Sequence, residues 1–263
     1  MHNAPPWIFP ALSGTRWACV ELDALARAEF PDSAKANPLN DPWFCDAWVR
    51  HVTERVGADH SWGGWLEDRS HLWRGHYLPP GCTIHLGIDL NVPAGTAVLA
   101  PLAGEVMHAV PCREQGGGWG GWFVLRADAP CGGADYLLLG HLAHEGLPEP
   151  GDRLAAGAVV GTVGTPVENG GWYPHLHLQA MSAAAWDAVQ HDPDQLLDGY
   201  AWPGPDLGRR FPNPAALAGL PASCDAPTPH APPSHVSPGQ TPLGQTPLPR
   251  GGPADGSPPS GRD

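Results

Sequence analysis

PHLHLQA, residues Pro174 to Ala180, alternates imidazole and leucine across His175, Leu176, His177 and Leu178. In a β-strand alternate side chains share a face, so His175 and His177 project one way while Leu176 and Leu178 face the other, toward a core. Two imidazoles on one face can meet one ion or one substrate. On the tetrapeptide alone, an exposed histidine pair on a solvated strand face is the favoured reading.

The surroundings have the same texture. Between about Thr83 and Met181, short apolar segments such as TAVLAP, GEVMHAV, GWFVLRAD and DYLLLGHLA are separated by glycine-bearing turns, with no long helical pattern between them. That spacing predicts antiparallel strands in a β-sandwich or open barrel. The expected organisation is a partly helical N-terminal extension (1–80), a mainly β core (81–181), a short helical C-terminal addition (182–220) and a tail (221–263). In the extension, Asp41 followed by Pro42 forms an N-cap with proline at the first helical position. Phe44, Trp48, Val52 and Val56 recur at helical spacing, and Gly57 supplies a stop. Helices are also expected at Ser182 to Gln190 and near Pro214 to Ala218. From Pro221 on, 12 prolines in 43 residues, no aromatic residue and a tandem GQTPL repeat predict disorder, because too little surface can be buried to offset ordering entropy.

Composition excludes some functions. The chain has 263 residues, a formal charge of -13 and 14 basic residues thinly spread, so no nucleic-acid partner is expected. No apolar run reaches the roughly 18 residues of a membrane span. The start MHNAPPWIFPALSG lacks a basic region, and its prolines interrupt any apolar stretch, so a cytoplasmic location is expected. Six cysteines without a C-x-x-C pair imply neither a four-thiolate metal site nor a dense disulfide scaffold; free buried thiols are expected, the alternative being a Cys112–Cys131 pair across a hairpin.

A second histidine segment is HLGID, His85 to Asp89. Fully extended, its ends would lie about 13 Å apart, four steps of roughly 3.3 Å, too far to share a metal at about 2 Å per ligand. The chain must bend between them, and Gly87 makes a bend inexpensive. A third piece is LLLGHL, where His141 ends an apolar run expected to be a buried strand. Each piece alone has an ordinary structural explanation.

Jointly, HLGID, the VPAGTAV and APLAGEV segments, the GHL histidine, the turn-rich GDRLAAGAVVGTVG and PHLHLQ stand in an order that resembles the zinc metallopeptidases of the lysostaphin/LytM type, which cut peptidoglycan peptides. The resemblance covers roughly His85 to Ala180. It implies zinc held by His85, Asp89 and His177, with His141 and His175 as unliganded catalytic histidines beside the metal, and a peptide or peptidoglycan substrate. Two imidazoles, one carboxylate and an open fourth position suit catalytic zinc. Departures are Leu139, where relatives often have an aromatic residue, and the ending HLHLQ, with Leu178 and Gln179 replacing an aromatic and an acid. The loops GGGWGGW (Gly116 to Trp122) and ENGGWYP (Glu168 to Pro174) are expected either to border the substrate groove or to be plain hairpin loops. DRSHLWRGHYLPPG (Asp68 to Gly81) is similar to family members lacking a signal, so an intracellular amide is an alternative substrate. A periplasmic or extracellular location follows if export uses an unrecognised route or a further segment precedes this start. A noncatalytic binding or scaffold module on the same fold is the alternative in kind.

Overall fold

Eight strands form one open sheet in the order β1-β2-β4-β11-β8-β7-β6-β9. They are β1 (Trp17–Cys19), β2 (His60–Gly63), β4 (Ile88–Asn91), β6 (Gly104–Pro111), β7 (Gly121–Cys131), β8 (Ala134–Leu142), β9 (Arg153–Leu154) and β11 (Leu176–Met181). Two small sheets pair β5 (Ala97–Leu99) with β10 (Val159–Thr162), and β3 (Ile84–His85) with β12 (Tyr200–Ala201). This computed structural model describes residues 7–32, 35–76, 78–113, 116–191 and 199–224. The mainly β class agrees with the sequence reading, but the sheet is mixed: β1 and β2 run parallel while the other ladders are antiparallel. Among the described residues no strand closes a barrel.

The helices are short. In α2 (Pro42–Arg55) the Asp41 carboxylate accepts from the Trp43 and Phe44 backbone N–H groups, as the Asp-Pro signal predicts. Its buried stripe is Cys45, Trp48, Val49 and Val52; Phe44, expected on that stripe, is exposed because the face turned inward is one position later. The other helices are α1 (Leu22–Glu29), α3 (Ala183–His191) and α4 (Leu207–Arg210), with a 3-10 turn at Ala215–Ala218. The expected tail lies outside the described residues from position 225 onward.

The alternation in β11 resolves as anticipated on one side only. Leu176 and Leu178 enter a core with Ile88, Leu90, Leu137, Leu139, Val98 and Val160. The histidine face is buried too, since every residue of β11 is inaccessible; a solvated face is therefore excluded. It is covered by Trp119 and by chain from outside the 81–181 segment, where Leu72, Trp73 and Tyr200 pack with Trp172 and Tyr173. Thiol chemistry also differs from expectation: Cys19 and Cys224 form a disulfide with Cα atoms 5.3 Å apart, within the usual span. Cys45 and Cys82 are free and buried, Cys112 is free and half-buried, and Cys131 is free and exposed.

Candidate metal centre

Strand register brings the two histidine motifs together. In the β11–β4 ladder His177 lies opposite Asp89, and on its other side it lies opposite Gly140 of β8, one residue before His141. His85 belongs to a different sheet, where it pairs with Tyr200. The chain leaves that small sheet at Leu86–Gly87 and enters the large one at Ile88, which is the bend the extended-chain distance required. Gly87 serves it by lacking a side chain, not by an unusual backbone angle, since it is absent from the positive-φ residues. A Cβ there would stand 2.5 Å from the Leu178 carbonyl oxygen and 2.7 Å from His177 Nε2.

Three ligand-type atoms then form a triangle. His85 Nε2 is 3.0 Å from His177 Nδ1 and 3.3 Å from Asp89 Oδ1, and His177 Nδ1 is 3.2 Å from Asp89 Oδ1. The remaining ring nitrogens have their own partners. His85 Nδ1 donates to the Gly64 carbonyl at 2.9 Å, and His177 Nε2 donates to Gln179 Oε1 at 3.1 Å. Because a carbonyl oxygen can only accept, these bonds put the protons on the outer nitrogens and leave both inner lone pairs facing the triangle.

The other two histidines flank it. His175 Nδ1 donates to the Tyr173 carbonyl at 2.7 Å, leaving Nε2 unprotonated and 3.5 Å from Asp89 Oδ1. His141 Nδ1 donates to the Asn169 carbonyl at 2.9 Å, and its ring centroid is 4.4 Å from that of His175. His141 is one of two non-glycine residues with positive φ among the described residues, at 63°. Left-handed backbone in a residue that carries a Cβ costs of order 1–3 kcal/mol and persists where surroundings enforce it. Here they do, through His141 N–H to the Trp119 carbonyl and Gly164 N–H to the His141 carbonyl.

All five polar residues are 3% exposed or less. Burial, with Arg69 nearby, pushes the His85 imidazole down to about 3. Burial pushes His141 well below the usual histidine range, helped by His175 and His177, and lowers His175 as well. For Asp89 burial acts upward, but His85, Arg69 and His175 hold it well below the usual carboxylate range. Since His85 is neutral at pH 7, the permanent charge that keeps Asp89 ionised is the Arg69 guanidinium.

A stability signature follows for the metal-free protein. A histidine whose folded pKa is depressed takes up its proton first in the unfolded chain, so stability is flat above about 6.5, the unfolded value, and falls as pH drops toward the folded value. His85 alone should cost about 2 kcal/mol by pH 5, with His141 and His175 adding in the same direction. Urea midpoints at pH 7, 6 and 5 measure this; a flat profile over that range would contradict the buried, neutral imidazoles.

The walls contain residues that the sequence reading did not assign. Arg69, Trp73, Trp172 and Tyr200 line the site with the five polar groups around a cavity of about 10 Å³, close to the volume one water needs. The two glycine-rich loops border the site and are tied together by Trp172 Nε1 to the Gly118 carbonyl and Gly117 N–H to the Gly170 carbonyl. Trp119 meets the His177 ring edge-on at 4.9 Å. A larger cavity of about 710 Å³, at Glu21, Trp65 and Cys224, contains none of the five.

Residues 83–191 match the family model described as Peptidase family M23. That segment includes His85, Asp89, His141, His175 and His177 but not Arg69, Trp73 or Tyr200. No curated protein matches the chain. Among solved structures, the catalytic domain of the antimicrobial peptidase lysostaphin from Staphylococcus simulans is 27% identical, covering 40% of this chain and 73% of that one, with a TM-score of 0.32. LytU is 26% identical over 48% of this chain and 86% of that one, with a TM-score of 0.33. The catalytic domain of the prophage-encoded M23 protein EnpA from Enterococcus faecalis is 23% identical over 41% and 77%, with a TM-score of 0.31. No helix among the described residues is long and apolar enough to cross a membrane.

Proposed function

We propose that the chain, whose residues 83–191 match the model of Peptidase family M23, is a zinc-dependent endopeptidase acting on peptidoglycan peptides, with zinc held by His85, Asp89 and His177. The observation that carries the ligand assignment is the triangle of inner lone pairs. Its edges of 3.0, 3.2 and 3.3 Å approach the roughly 3.3 Å that separates two ligands of a tetrahedral zinc bound at about 2.0–2.1 Å. Two neutral imidazoles and one carboxylate are a donor set that zinc favours and that leaves a fourth position open. Bound there, zinc supplies Lewis acidity for the scissile carbonyl and for water.

The chain's own groups do the rest. His175 Nε2, unprotonated and near Asp89, accepts the proton of the attacking water; the carboxylate 3.5 Å away then stabilises the imidazolium. Among the described residues His141 makes no such carboxylate contact, and two imidazoliums with ring centroids 4.4 Å apart would repel in a buried site. Its Nε2 therefore acts as a neutral acceptor that orients water, and the left-handed backbone fixes where it points. The proton held on His175 is returned to the leaving amine. Tyr173 and Asn169, whose carbonyls hold the outer nitrogens, keep both rings in the required tautomer.

The test is reconstitution. Metal-free protein given one equivalent of zinc should gain cleavage of peptidoglycan and of peptides with glycine bridges or D-amino-acid cross-links. A sample verified to hold one zinc per chain, yet inert toward cell-wall material and a broad amide panel, would overturn the endopeptidase reading in favour of a noncatalytic module.

A further inference from the structure

We propose that Arg69, which lies outside the matched family segment, is a positioning residue for the carboxylate Asp89. This rests on the reading of Asp89 as a metal ligand. Arg69 is 1% exposed, an arrangement that requires acceptors for its guanidinium. Its Nη1 donates to Asp89 Oδ2 at 2.5 Å and to the Tyr200 hydroxyl at 3.2 Å, while its Nε donates to Glu67 Oε2 at 2.8 Å. The contact is made to Oδ2, whereas Oδ1 faces His85 and His177. The two carboxylate oxygens thus have separate tasks: one is committed to the guanidinium, and the other is left for the cation.

The brace is built into the backbone. Leu66 N–H to the His85 carbonyl, His85 N–H to the Glu67 carbonyl and Arg69 N–H to the Thr83 carbonyl form a short ladder between residues 66–69 and 83–85. In such extended chain, Glu67 and Arg69 share a face. Glu67 is itself anchored, its Oε1 accepting from the Asp23 backbone N–H at 2.8 Å. Space for the guanidinium exists because position 64 lacks a side chain: a Cβ there would stand 2.1 Å from Arg69 Nη2 and 2.9 Å from His85 Nδ1. One glycine therefore clears room for the brace of one ligand while its carbonyl orients another.

The physical consequence is twofold. Free rotation of Asp89 would let both oxygens compete for one cation; the fork holds the side chain as a one-oxygen ligand. The fixed positive charge also compensates part of the buried negative charge, so Glu67, Arg69 and Asp89 sum to a formal charge of -1. A lysine cannot reproduce this, because a single ammonium lacks the planar fork that reaches Glu67 and Asp89 together.

Arg69→Lys, Arg69→Met and Glu67→Gln, prepared metal-free in the full chain, test the proposal by zinc affinity from chelator competition and by the visible spectrum of the cobalt-loaded protein. Loss of a group that orients a metal ligand typically weakens binding about 10–100-fold. That loss is expected for Arg69→Met, a smaller one for Arg69→Lys, and a few-fold one for Glu67→Gln; the cobalt bands should shift in both Arg69 variants as Asp89 changes its ligation. A folded Arg69 variant with wild-type zinc affinity and an unchanged cobalt spectrum overturns the inference. Should neither Arg69 variant fold, a wild-type zinc affinity in Glu67→Gln overturns it instead. If the unaltered protein binds neither zinc nor cobalt one to one, the metal-site reading itself falls, a result distinct from failure of the brace.

Discussion

His177→Ala is expected to weaken zinc binding enough for the metal to be lost on dialysis, and zinc-dependent cleavage with it, while His175→Ala retains the metal and loses turnover. The two positions are separated by one residue and share a buried face, so a general effect of emptying that face would strike both alike. Their ring nitrogens differ in task. His177 presents Nδ1 to His85 and Asp89 with Nε2 committed to Gln179, whereas His175 Nε2 stands outside the triangle at 3.5 Å from the carboxylate. Removing one of three ligands should cost at least about a hundredfold in zinc affinity, given that such ligand sets supply apparent binding energies of the order of 10 kcal/mol together. Removing the proton acceptor should lower the rate by about 10²–10⁴ with metal content unchanged. Metal analysis after dialysis, beside cleavage rates at saturating zinc, reads both. Stoichiometric zinc in folded His177→Ala would remove the basis of the ligand assignment, and an undiminished rate in His175→Ala would remove the proposed base.

Much of this site is legible in the chain because strand alternation is a local property. PHLHLQA states which residues share a face, and HLGID states that a bend must intervene before His85 and Asp89 can meet. The reading fails where two faces are buried and the covering layer is distant in sequence. Nothing in the alternation of β11 reveals that its histidine side lies under Trp119 and near Trp172, Trp73 and Tyr200. Arg69 illustrates the same limit: its tripeptide neighbourhood is unremarkable, and its meaning depends on a ladder with residues 83–85 and a contact twenty positions away. A buried arginine could have been suspected only from the crowding of DRSHLWRG just upstream of HLGID. The Cys19–Cys224 bridge, 205 residues apart in the chain, and the parallel β1–β2 pairing are equally non-local.

Contributions from outside the matched segment alter what that segment can do. Within residues 83–191 lie the five polar groups together with Trp119 and Trp172, but the guanidinium beside Asp89 and part of the cover over the site come from Arg69, Trp73 and Tyr200. With the five polar residues at 3% exposure or less, a peptide reaches the triangle only if some of these covering side chains move. The charge and access of the centre are therefore set partly by chain that the family pattern does not include.

Gly87→Ala should cost stability and disturb the metal centre together. The added Cβ would meet the Leu178 carbonyl oxygen at 2.5 Å and His177 Nε2 at 2.7 Å. The first of these is backbone within the β11–β4 ladder and cannot rotate away; the second is the ring nitrogen that donates to Gln179. Relief requires either opening the ladder at the register that sets Asp89 against His177 or swinging the imidazole off its acceptor, and both disturb the triangle. Overpacking of this kind costs about 1–3 kcal/mol, toward the upper end where backbone is the obstacle. Zinc affinity should fall about 10–100-fold, as when a ligand loses its orienting partner. Gly95→Ala is the informative comparison. Gly95 has φ +81 and nothing within 4 Å of the added atom, so its cost of about 1 kcal/mol is conformational only and zinc binding is expected to be unchanged. Urea unfolding and zinc titration on the two variants distinguish these effects. A Gly87→Ala protein matching the unaltered chain in both would mean that the close approach of β4 to His177 does not define the geometry of the centre.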